Sequence, residues 1–148
     1  MGINLKLHLG VMEVPEWGNS QWDSYDVAKH LEQAYGLYSA FAEFEGQRMG
    51  DLLADSVAGS METLLQGGTV KDPFAAGTAQ ITEDFRKFIS EQTAEKVLAP
   101  GSDSRPVPTK AALVGRSKRR ARPYAKGDRR PSFIDSGIFE KSITTWVE

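Results

Sequence analysis

The chain has no cysteine and only two histidines, His8 and His30, among its 148 residues. The first absence excludes disulfides, thiolate metal sites and cysteine nucleophiles; the second leaves carboxylates to supply most ligands of any zinc centre. Neither a metal nor a cofactor is expected. Long apolar runs are missing as well. The uncharged stretch from Gln33 to Ala42 is about half the roughly 20 apolar residues that a membrane-spanning helix requires. The opening Met-Gly-Ile-Asn-Leu-Lys-Leu lacks the basic n-region and small-residue cleavage site of a signal peptide, so a soluble, intracellular protein without a membrane partner is expected. What is present is the composition of a globular domain, 40% hydrophobic and 26% charged, with 14 glycines and 7 prolines that predict much irregular backbone. A chain this long buries about 70% of its unfolded surface in a single core.

The formal charge of −2 conceals a division along the chain. Residues 1–104 hold 7 Lys and Arg against 16 Asp and Glu, a net −9; residues 105–130 hold 10 against 1, a net +9; residues 131–148 hold 1 against 3, a net −2. An acidic body and a basic arm, segregated in this way, point to a partner or to self-association.

Ile3, Leu5, Leu7, Leu9 and Val11 alternate with Asn4, Lys6, His8 and Gly10, the period of a half-buried strand that stops by Pro15. The stretch from Glu16 to Asp23 reads as a loop whose indoles, Trp17 and Trp22, pack back on the body. Asp23 or Ser24 then caps a helix in which Val27, Leu31, Tyr35, Tyr38 and Phe41 recur at spacings of three and four. Met49, Leu53, Val57, Met61 and Leu64 continue the period until Gly67-Gly68. Gly36, Gly46, Gly50 and Gly59 fall inside it, and a break is expected near Gly46 to Gly50; alternatively, these glycines admit a neighbouring helix from another subunit. Asp72-Pro73 starts a further helix with Phe74, Ile81, Phe85, Phe88 and Ile89 on its apolar face, running to Leu98 before Pro100-Gly101.

Five of the seven prolines lie between Pro100 and Pro131 together with most of the basic residues, which predicts an extended arm or long loop with one apolar foothold at Ala111 to Val114. Asp135 or Ser136 caps a short helical turn from Ile138 to Ser142, and Ile143 to Val147 forms a closing strand that pairs with the first. The fold class predicted is α+β: a small antiparallel sheet from the N- and C-terminal strands, packed with two or three long helices, plus a long basic Pro-rich arm. Residues 1–148 form a single domain, divided into a strand and helical body (1–104), an extended basic arm (105–130) and a closing helix-strand (131–148).

Two strings invite a chemical reading. Asp135-Ser136-Gly137 resembles the loop of retropepsin-like aspartic proteases, in which two aspartates share one proton across a dimer. Against this, Ile138 stands where those enzymes carry Ser, Thr or Ala, and 11 residues after Gly137 cannot supply the barrel and flap. The simpler role for Asp135 is to cap a turn. His8 and His30 have no Ser, Cys or His neighbour, and the glycines match no nucleotide-binding pattern, so surface or core packing is expected of the histidines. The strongest feature is the basic series Arg105, Lys110, Arg116, Lys118, Arg119, Arg120, Arg122, Lys126, Arg129 and Arg130. It suits phosphate, as in a DNA-binding accessory module, with Tyr124 the one stacking platform. It suits equally the acidic surface of another subunit, and because this chain supplies a surface of opposite charge, protein contact is the preferred reading.

The C-terminal residues also carry a family resemblance. Arg105-Pro106-Val107-Pro108-Thr109, then Ala112-Leu113-x-Gly115-x-Ser117, then Arg130 to Ile143 resemble the tail-completion and head-tail joining (neck) proteins of tailed bacteriophages. In that family a Pro, an Asp/Thr-Gly, an aliphatic and a Ser-Ile recur just before the last strand. The resemblance implies a non-enzymatic structural protein at the head-tail junction of the virion, found in the host cytoplasm during assembly. It implies a homo-oligomeric ring, hexamer or dodecamer, that contacts the portal or adaptor and the tail tube or tail terminator while DNA passes through. Pro131, Asp135, Gly137, Ile138, Ser142 and Ile143 would then fix the fold without catalysing anything.

Overall fold

A computed structural model describes residues 4–15, 21–98, 105–116 and 125–148. Strands β1 (Leu7–Val11) and β2 (Ile143–Val147) pair antiparallel, in register from Leu7 opposite Val147 to Val11 opposite Ile143. The strands nearest the two termini therefore meet in one small sheet, and with six helices among the described residues around it the α+β class is the one that forms. Strand alternation sorts the side chains: Leu7, Leu9 and Val11 turn with Ile143 toward the core. On the opposite face His8 and Trp146 stack with centroids 5.2 Å apart, the surface packing expected of that histidine. A two-stranded sheet is marginal by itself in water. Helix α3 (Ala75–Ser90) covers this one, its Thr78 carbonyl accepting from the Thr145 hydroxyl and its Thr82 hydroxyl lying 2.8 Å from that group.

Helix α1 (Ser24–Tyr35) opens with a capping box, in which the Asp23 carboxylate accepts from the Asp26 amide at 2.9 Å and the Asp26 carboxylate from the Asp23 amide at 3.4 Å. Ser24 is buried and does other work, since its hydroxyl accepts from the Val14 amide and donates to the Met12 carbonyl, tying the exit of β1 to α1. Trp22 meets His30 edge-on at 5.7 Å but stays half-exposed; Trp17 lies outside the described residues, as do Ile3 and Pro100-Gly101.

The break in the helical middle is not at Gly46 to Gly50. Helix α2 (Leu37–Leu65) passes unbroken through Gly46, Gly50 and Gly59 for 29 residues, and the interruption falls at Gly36. Gly36 has φ 65°, a left-handed conformation that costs a residue with a Cβ roughly 1–2 kcal/mol. The Glu32 carboxylate then reaches over the turn to cap the new helix, accepting from the Tyr38 amide at 2.7 Å and from the Ser39 hydroxyl. At Gly46 the propensity penalty is overridden by the buried Phe41 and Met49 on either side of it.

The next helix is shorter than expected. Asp72 accepts from the Phe74 amide at 2.8 Å, α3 begins at Ala75, and a left-handed Gln92 (φ 63°) separates it from α4 (Thr93–Leu98). The core lies between α2 and α3, where Phe41 stacks on Phe85 at 4.4 Å, with Leu37, Ile81, Phe88 and Ile89 around them. Phe133, Phe139 and Ile143 close it from the C-terminal segment. Beyond Met49 no residue of α2 is fully buried: Leu52 and Leu53 still pack, partly exposed, against the core, whereas Val57, Met61 and Leu64 keep the apolar period outside that cluster.

Candidate interaction surface

The arm is less extended than its prolines suggest. Its apolar foothold folds as a single helical turn, α5 (Lys110–Leu113), capped by the Thr109 hydroxyl and seated on the buried Ala112. Gly127 donates to the Val114 carbonyl at 3.0 Å and Arg130 to that of Ala112 at 3.1 Å, so the chain leaving α5 and the chain returning are joined at a closed base. Gly115 makes this possible: it has φ 62°, and a Cβ there would overlap the backbone of Gly127 and Asp128. Lys118, Arg119, Arg120 and Arg122 of the basic series, and Tyr124, lie outside the described residues.

A buried carboxylate fastens this base to the body. Glu95 of α4, 5% exposed, accepts from the Ser132 amide at 2.9 Å and the Ser132 hydroxyl at 2.6 Å with one oxygen, and from Arg129 at 2.7 Å with the other. Ser132 Oγ in turn accepts from the Thr109 amide at 3.1 Å, so a single acid holds both sides of the loop. Arg130 is also internal, donating to the carbonyls of Ile134, Pro131 and Arg116 and lying 3.7 Å from Asp135. Arg129 and Arg130 are thus structural cations. Arg105, Lys110, Arg116 and Lys126 are exposed, and the last three form no ion pair among the described residues.

The C-terminal motif residues act through packing and backbone geometry. Pro131 precedes the Glu95 clamp; Asp135 faces Arg130; Gly137, at φ 77°, is the N-cap of α6 (Ile138–Ser142), with the Ser136 hydroxyl accepting from the Ile138 amide at 3.2 Å. Ser142 is buried and donates to the Phe139 carbonyl at 2.7 Å, and Ile143 begins β2 inside the core. Arg86 of α3 pins the junction of α6 with β2 by donating to the carbonyls of Glu140, Lys141 and Ile143.

Charge and apolar surface are distributed unevenly elsewhere. Arg48 and Asp84 join α2 to α3 at 2.7 Å; burial pulls the Asp84 carboxyl upward, but hydrogen bonds from Arg48 and Gln80 outweigh it and hold the group below the usual carboxylate range. Burial pushes the Tyr38 phenol upward, aided by the charge of Glu32. A groove of about 550 Å³ runs between the distal half of α2 and the sheet, with Leu5, Leu7 and Val147 on one side and Leu53, Val57 and Met61 on the other. Among the described residues no group of three potential ligands could hold a metal ion, and no helix is long and apolar enough to cross a membrane.

Neither Glu95 nor Arg86 belongs to any sequence motif. The available signal was indirect: one acid among the apolar residues of a short helix, upstream of a basic segment that needed an anchor. Comparison with protein-family models, with curated proteins and with solved structures gives no match to this chain.

Proposed function

We propose that the protein is a non-enzymatic structural component of a tailed-phage neck, forming a homo-oligomeric ring between the portal or adaptor and the tail tube or tail terminator. The observation that supports this reading is the closing segment. There the residues of the resemblance, Asp135, Gly137, Ile138, Ser142 and Ile143, build a turn, a cap and a strand that locks onto β1. Such packing and backbone roles support reading them as fold residues, as the resemblance implies. A head-to-tail ring also suits a chain whose acidic body and basic segment are fastened in one piece, because each copy then offers both halves of a complementary contact. The test is negative-stain imaging and light scattering of the purified chain with the portal and tail-tube proteins of the same particle. Rings on either partner are expected; a chain that stays monomeric and binds neither overturns the proposal.

A second reading, DNA contact, is favoured by the exposure of Lys110, Arg116 and Lys126, which form no ion pair among the described residues. On duplex DNA it requires binding that weakens with salt by a slope of about −0.9 per phosphate contact. A gel shift that shows no binding at low ionic strength removes it.

A further inference from the structure

Among the described residues, one face of α2 has no partner. At 3.6 residues per turn, Ser56 and Ser60 point to α3, both hydroxyls donating to the Pro73 carbonyl, at 2.9 and 3.3 Å. Leu53, Val57, Met61 and Leu64 fall on the adjoining side, where Met61 is 60% and Leu64 54% exposed. Leu53, Val57 and Met61, with Leu5 and Val147 across from them, line the 550 Å³ groove. Asp51, Asp55 and Glu62 border the far side of this stripe. Gln47 and Gln66 bond two of them, and none of the three meets a cation among the described residues. The surface is therefore an apolar trough with an uncompensated acidic bank.

The chain also carries the inverse surface. Leu113 of α5 is 45% exposed, and Lys110, Arg116 and Lys126 in the same loop base meet no anion among the described residues. The knob is preformed: Thr109 caps it, Ala112 roots it, and Arg130 and Ser132 bond its backbone, so little ordering entropy opposes docking. None of the residues that hold the knob lines the groove, so a chain cannot seat its own α5 without releasing it from those anchors. Two different patches that complement each other across copies define a heterologous contact, which leaves one free knob and one free groove until a ring closes.

We propose that this α2 groove is the seat for α5 of a second copy, with Leu113 entering between Val57 and Met61 while Lys110, Arg116 and Lys126 face Asp51, Asp55 and Glu62. The closure of that contact into a ring rests on the neck reading; the contact itself does not.

The absence of cysteine gives a clean test. Full-length Leu113→Cys and Met61→Cys chains are mixed and treated with a short bismaleimide, with Val57→Cys as a second groove position. Cross-linked pairs are expected from each mixture at several times the yield from either variant alone. Lys110→Glu with Arg116→Glu in the knob chain should abolish the product, and Asp55→Lys with Glu62→Lys in the groove chain should restore it. Mixtures that give no more product than the single variants, or charge reversals without effect, overturn the inference. If rings still form on the portal in that case, the neck reading survives and the interface lies elsewhere. If the cross-link and its charge rescue are found while no ring forms on any partner, the contact stands and the neck reading falls.

Discussion

Replacing Glu95 with alanine removes three hydrogen bonds at once, two from Ser132 and one from Arg129. A buried donor left unpaired costs about 1–3 kcal/mol. The Ser132 amide pays this in full, whereas its hydroxyl keeps the contact from Thr109 and can reorient. The Arg129 side chain, 48% exposed, rehydrates, and its share is about 0–1 kcal/mol. Glu95→Ala should therefore lose about 1–4 kcal/mol, a large part of the roughly 5–15 kcal/mol of a domain. Glu95→Gln keeps an acceptor for Ser132 and loses the charge that faces Arg129, so about 1–2 kcal/mol is expected. Arg129→Ala leaves the almost fully buried Glu95 carboxylate with only its Ser132 donors, costing about 1–3 kcal/mol. Urea denaturation of the three variants and of Glu95→Ala/Arg129→Ala forms a cycle in which the double variant should cost less than the sum of the single ones. Because the clamp joins the loop base to the body, trypsin under native conditions should cut the basic segment of Glu95→Ala sooner than that of the wild type. A Glu95→Ala chain within about 0.5 kcal/mol of wild type, or a Gln variant as unstable as the Ala variant, refutes the reasoning.

Gly115→Ala combines a left-handed φ with a backbone clash and should destabilise by about 2–4 kcal/mol, measured as a lower urea midpoint. Gly46→Ala and Gly50→Ala meet nothing within 4 Å, and each should raise the stability of the isolated chain by about 0.5–1 kcal/mol; a loss at either position contradicts a continuous α2. Gly36→Ala should lower it by roughly 1–2 kcal/mol. Asp84 predicts a pH dependence. Its folded carboxyl lies below the unfolded value of about 3.9, so the unfolded chain binds more protons and the contribution is complete above that value. It is lost as pH falls through the lower, folded value. The stability difference between wild type and Asp84→Asn should therefore hold constant from pH 7 to pH 5 and vanish in strong acid; a difference that persists there refutes it.

Those elements whose cause is local were legible in the sequence. The cap at Asp23 formed as its chemistry required, and the period of two read from Ile3 to Val11 gave a strand from Leu7 onward; the helix at Ile138 also formed, but its N-cap is the left-handed Gly137 and not Asp135 or Ser136. The closing strand was readable for the same reason, and its pairing with β1 followed from there being few strands to choose from. The helix break at Gly36 was hidden because its cause is not the glycine alone. The deciding partner is Glu32, four residues upstream, whose carboxylate caps the helix that follows. Glu95 was hidden more deeply, since a buried acid is recognised by its donors, and Ser132 stands 37 residues away in sequence. The basic series illustrates the same limit. Charge counting treats Arg129 and Lys126 alike, and only tertiary structure separates the cation bound to Glu95 from one that meets no anion among the described residues.

An apolar side chain that is wet in both the folded and the unfolded chain contributes almost nothing to folding. By that measure one continuous helix carries two kinds of residue. Leu37, Phe41 and Met49 drive burial of the core, whereas Met61 and Leu64 remain in water after folding, and Leu65 is 86% exposed. The acidic bank adds a small cost of its own, because Asp51 and Asp55 stand four residues apart on the helix and like charges at that spacing are unfavourable by about 0.2–0.5 kcal/mol. Among the described residues, then, the distal half of α2 combines exposed apolar surface with charge that meets no cation, and neither helps the fold. Both turn favourable against a surface that is apolar at its centre and cationic at its edge. Leu113 with Lys110, Arg116 and Lys126 is such a surface, and the Glu95 clamp holds the loop that bears it to its own body. The opposition of −9 and +9 along the sequence is therefore better understood as a constraint on how copies meet than as a force that folds any one of them.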